Sequence, residues 1–97
     1  MDDFFALPPF KPDEALLQLK RAVRDLRGLA ERGERFEWKG QPVLELRVEG
    51  STLVGKLAKR PAHSPQWESR TMRNNADVRK FGDELKARVA RWRESDD

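Results

Sequence analysis

His63 is the chain's one imidazole, and no cysteine accompanies it. Acyl transfer by a Ser-His-acid arrangement needs a serine held against that base and an acid behind it. Ser51, Ser64, Ser69 and Ser95 sit in no Gly-x-Ser-x-Gly or comparable elbow. A zinc site needs several nitrogen or sulfur ligands at short spacing, and no second histidine or cysteine supplies them. The neighbouring carboxylates Asp83-Glu84 and Asp96-Asp97 fall on a charged helix face and an acidic tail. Neither has the apolar surroundings that would drive two carboxyl pKa values apart. Gly50-Ser51-Thr52-Leu53-Val54-Gly55-Lys56 follows the first positions of the phosphate-loop pattern, but Leu57 stands where a magnesium-binding hydroxyl belongs. These residues argue against an enzyme and imply no cofactor and no metal.

The cations carry more information. The chain has 20 Lys and Arg against 17 Asp and Glu, a formal net charge of +3. Between residues 56 and 73 stand Lys56, Lys59, Arg60, Arg70 and Arg73, with Glu68 as the lone acid. Trp67 lies among them. Cations that track phosphates and an aromatic ring that stacks on a base are the ingredients of nucleic-acid binding. The plainer reading has Trp67 pinning a long loop to the core while the cations face water.

Aromatic residues concentrate elsewhere. Residues 1–11 hold Phe4, Phe5, Leu7 and Phe10, and Pro8, Pro9 and Pro12 favour extended backbone there. Burying each large apolar side chain is worth roughly 1.5–3 kcal/mol, so these residues are expected to find cover. They either complete the chain's own core or dock on a protein partner or a second copy.

The elements that position these groups follow from periodicity. Leu16, Leu19, Val23, Leu26 and Ala30 recur at helical spacing behind Pro12, Asp13 and Glu14, with Leu17 and Leu29 widening the stripe. Gly33 is the expected stop. From Leu44 to Val48 the period becomes two, and Gly50-Ser51 suits a type II′ hairpin. That register sets Val48 against Leu53, Leu46 against Gly55, Leu44 against Leu57, and Glu45 against Lys56. Residues 35–39 form a preceding strand. A three-residue loop, Gly40-Gln41-Pro42, then brings Phe36 and Trp38 to the buried face, with Trp38 opposite Leu44 and Glu37 opposite Glu45. Residues 58–74 read as an irregular basic loop in which Ser64-Pro65 caps a helical turn. Asn75 caps the final helix, whose inner stripe is Val78, Phe81, Leu85, Val89 and Trp92.

The expected fold is α+β, a two-layer sandwich in the order αβββα. A three-stranded antiparallel meander carries two helices on one face. Residues 1–11 form the extended arm, 12–93 the domain, and 94–97 a frayed acidic tail. Val43 and Val54 are expected on the outward sheet face. The order αβββα resembles that of the double-stranded RNA-binding domain over about residues 12–93. The motifs differ: Gly40-Gln41-Pro42-Val43 lacks that family's loop histidine, and the last helix opens Asn75-Ala76-Asp77 rather than with lysines.

No apolar run approaches the ~20 residues of a membrane span. The absence of cysteine and the acidic start Met1-Asp2-Asp3 lead to an expected cytoplasmic location. The expected role is a small non-enzymatic interaction domain. It would bind an unknown protein partner or self-associate through Phe4, Phe5, Leu7, Phe10 and the helix faces. The alternative is nucleic-acid binding through Lys56, Lys59, Arg60, Trp67, Arg70 and Arg73.

Overall fold

A computed structural model of the chain describes residues 9–95. Pro12 opens helix α1 (Pro12–Arg24), with Asp13 and Glu14 in its first turn and Arg21 and Arg24 in its last, each matched to the helix dipole. Five strands follow: β1 (Leu29–Arg32), β2 (Arg35–Trp38), β3 (Gln41–Glu49), β4 (Thr52–Ala58) and β5 (Trp67–Met72). Helix α2 (Asn75–Ser95) closes the order αβββββα. The strands form one antiparallel sheet in sequential order. The class is α+β as expected, but the sheet has two more strands than the three anticipated. The added strands also remove the likeness in element order to the double-stranded RNA-binding domain.

The first added strand comes from the end of the expected first helix. α1 stops at Arg24, and Gly28 adopts φ of +100°, which reverses the chain into β1. Trp38 lies against Gly28 so closely that a Cβ there would stand 2.3 Å from its ring. Leu29 and Ala30 therefore belong to a strand, and Gly33 turns the β1–β2 hairpin instead of ending a helix. Leu17, expected to widen the inner stripe, is 60% exposed; Ala15 is buried beside Leu19 and Val23.

The β3–β4 hairpin has the expected register throughout, including Glu45 opposite Lys56. Gly50 has a positive φ and Ser51 does not, in keeping with a type II′ turn. The β2–β3 register differs. Lys39 and Gly40, both at positive φ, make a two-residue turn that pairs Trp38 with Gln41 and Glu37 with Pro42. A bulge then sets Phe36 opposite Leu44 and Arg35 opposite Glu45, at 3.0 Å between their charged atoms. The bulge buries Val43 and Leu44 in succession, so Val43 is not on the outward face. Both aromatics are buried, and the feared Glu37–Glu45 opposition does not arise.

The second added strand, β5, replaces the expected helical turn at Ser64-Pro65; Trp67 through Met72 pair with β4. Asn74, not Asn75, caps α2: its Oδ1 accepts from the Asp77 backbone N–H at 2.8 Å. Asp77 Oδ2 in turn accepts from Arg73 N–H at 2.9 Å. Phe81, Leu85, Val89 and Trp92 are buried as expected, while Val78 is half-buried. α1 and α2 pack against each other, and their buried residues join those of the sheet in a single core. A Cβ at Gly55 would stand 2.6 Å from the Phe81 ring, so this glycine lets α2 settle onto β4. The phosphate-loop likeness of residues 50–56 is thus a hairpin followed by a close helix contact.

Candidate functional site

The cations between residues 56 and 73 do not share a surface. Strand alternation separates them first. Leu57 and Glu68 pair on the side of the sheet that faces α2, whereas Lys56 and Ser69 pair on the other side. Lys56 lies on that outer side near Glu34, Glu45 and Arg47. Trp67, opposite the fully buried Ala58, is half-buried and packs against the core, as in the plainer reading of this segment.

Arg70 is committed to structure. Its Nε and Nη2 donate to the two carboxylate oxygens of Glu84 at 3.2 and 2.9 Å, and Nη1 donates to the Ser69 carbonyl at 3.2 Å. The Glu84 hydrogen bonds, ahead of the nearby charges of Glu84 and Glu68, raise the guanidinium pKa above its ordinary value. Arg88 completes this seam. Its Nη2 donates to Glu84 at 2.9 Å and to Glu68, and its Nη1 donates to the Ala58 carbonyl at 3.0 Å. The Arg88 hydrogen bond holds the Glu68 carboxyl below the usual carboxylate range. Two acids and two bases thus neutralise one another between β5 and α2.

Arg73 lies beyond the other end of β5, where its backbone enters the α2 cap. Lys59 and Arg60 follow β4 directly, at the end where β5 begins. There the sheet and the last turns of α2 enclose a groove of about 400 Å³. Lys59, Arg60 and Glu68 line it from the sheet side, and Arg88, Arg91 and Trp92 from the helix. Arg91 and Trp92 were not among the expected nucleic-acid contacts. Their membership is a tertiary fact with no counterpart in local spacing.

Phe10 stands at the opposite end of the helix pair. It is half-buried against the core and lines the larger concavity, about 960 Å³, formed by the starts of both helices. Pro9, Ala15 and Val78 contribute apolar surface, while Lys11, Glu14 and Arg79 are charged lining groups, with Lys11 Nζ 3.9 Å from Glu14. Phe4, Phe5 and Leu7 lie outside the described residues. Among the described residues Leu17 is the one exposed large hydrophobic side chain, so the helix faces present no broad apolar patch.

His63 is exposed in the β4–β5 connection. Among the described residues, no polar or charged residue is buried, and no group of three or more His, Cys, Asp or Glu is placed to hold a metal ion. No helix among them is long and apolar enough to cross a membrane. No protein-family model, curated protein or solved structure matches the chain.

Proposed function

We propose that this protein is a non-enzymatic interaction domain that self-associates through its aromatic N-terminal segment. The observation that carries this reading is the groove beside Phe10. It is the larger of the two end grooves, it has apolar walls, and Pro9 at its rim joins it directly to residues 1–8. Those residues supply Asp2, Asp3, Phe4, Phe5 and Leu7. Their aromatic groups suit the surface of Phe10, Ala15 and Val78, and their acids suit Arg79, since Lys11 already lies near Glu14. Pro8 and Pro9 favour extended backbone before them, which opposes a tight reversal into the chain's own groove and favours exchange with a second copy. Each phenylalanine covered in this way contributes roughly 1.5–3 kcal/mol before the costs of association.

Multi-angle light scattering over a concentration series tests the proposal. The full chain is expected as a dimer or larger species. Deleting residues 1–8 should yield a folded monomer. Ala76→Arg, at an exposed position in the groove wall, should also yield one. A monomeric full chain, an oligomer indifferent to both changes, or an unfolded deletion product beside an unaffected Ala76→Arg oligomer would each overturn it.

A further inference from the structure

The groove at the other end of the helix pair has a different chemistry and stands independently of the self-association reading. We infer that it binds a small phosphate-bearing anion, with Lys59, Arg60 and Arg91 as the binding residues.

Four cations and one carboxylate line this space. The carboxylate, Glu68, is taken by Arg88, and Arg88 is itself held by Glu84 and the Ala58 carbonyl. What remains is Lys59, Arg60 and Arg91, all exposed and none ion-paired among the described residues. They come from two elements and line the same void, and among the described residues its one acid is Glu68, already paired with Arg88. Three cations without an ion pair of their own around a concavity favour a multivalent oxyanion over a single carboxylate, and arginine presents paired donors that match phosphate oxygens.

The walls are pre-set. Lys59 extends the β4–β5 ladder by one step, its N–H donating to the Gln66 carbonyl at 3.0 Å, and Pro61 restricts the backbone after Arg60. Arg91 follows Arg88 by one helical turn, so the paired arginine anchors the helix that presents the free one. The Ser95 hydroxyl donates to the Arg91 carbonyl at 3.0 Å and covers part of the α2 terminus, whose carbonyl ends disfavour an anion. Trp92 is only 7% exposed and packs against Trp38 with ring centroids 6.0 Å apart. It is an apolar floor, not a stacking platform for a base. The site therefore recognises phosphate, not sequence.

An NMR amide titration of the full chain with pyrophosphate, 5′-AMP and adenosine tests this. Pyrophosphate and 5′-AMP should give saturable shifts at Lys59, Arg60 and the last turns of α2, and adenosine none. Lys59→Glu, Arg60→Glu and Arg91→Glu should each weaken binding about tenfold or more. Lys56→Glu and Arg73→Glu, outside the groove, should leave it unchanged. A single-stranded oligonucleotide that binds through the same three residues would assign the phosphate to a nucleic-acid backbone. Binding of 5′-AMP without the oligonucleotide would assign it to a small molecule. Adenosine binding as well as 5′-AMP, Lys56→Glu weakening affinity as much as Lys59→Glu, or no shift in the groove would overturn the inference.

Discussion

Where α2 crosses β4, Phe81 rests on Gly55 and Met72 fills the space beside it; a little further along, Arg88 and Glu84 meet Glu68 and Arg70 on β5. One helix thus joins one sheet by an apolar seam and by a charged one. The apolar seam depends on shape, because a single added carbon has nowhere to go. The charged seam depends on completeness, because each arginine satisfies the acids that the next would otherwise leave unpaired. It takes up Arg70, Glu68, Glu84 and Arg88, and leaves Lys59, Arg60 and Arg91 at its end with no ion pair of their own among the described residues.

The sharpest break of apolar packing lies outside the seam, at Gly28→Ala in the turn between α1 and β1. It combines a left-handed backbone with a Cβ 2.3 Å from the Trp38 ring, and should cost about 3 kcal/mol or more in urea unfolding. Gly55→Ala has no positive-φ strain but drives a Cβ to 2.6 Å from Phe81; a loss of about 1–3 kcal/mol is expected by the same measurement. A loss below that for either glycine would show that the aromatic rings can shift aside.

The charged seam should respond more mildly. Arg88→Met keeps the volume but leaves the Ala58 carbonyl and Glu68 without their donor, while Glu84 keeps Arg70, with an expected loss of about 1–2 kcal/mol. The pH dependence distinguishes it further. Glu68 (through Arg88) and Glu31 (through Arg24 and Lys20) both have carboxyl pKa values lowered by folding. Their contribution is therefore full above the unfolded value, about 4.3, and is lost as pH falls through the lower folded values. Urea midpoints should stay level from neutral pH to about pH 5 and decline below about pH 4. Arg88→Met should lessen that decline without abolishing it, since the Glu31 pairing persists. Leu17→Gln, exposed and outside both seams, should change stability by less than about 0.5 kcal/mol.

The two seams also differ in how far they can be read along the chain. The inner stripe of α2 and the β3–β4 register are visible because local period, turn glycine and apolar side agree. β1 is hidden because Leu26 and Ala30 continue the helical spacing of α1, and nothing local says that Trp38 will occupy the space beside Gly28. β5 is hidden for a different reason. Its side facing α2 carries Glu68 and Arg70, which reads as solvent-facing until Glu84 and Arg88 arrive from the helix. The β2–β3 bulge belongs with these: it buries Val43 and Leu44 together, which strict alternation forbids.

By itself, then, the sequence determined an α+β chain, a firm central hairpin, an amphipathic final helix, and a cationic excess between residues 56 and 73. Each of these follows from residue type and short-range spacing. Tertiary structure alone decided which cations remain free. Arg70 is withdrawn into ion pairs, Lys56 is turned to the outer sheet face, Trp67 packs against the core, and Arg73 is left at the far end of β5. Lys59 and Arg60 are instead joined by Arg91. Charge is local, but its compensation depends on which neighbours folding brings within a few ångströms, and those neighbours lie on another element.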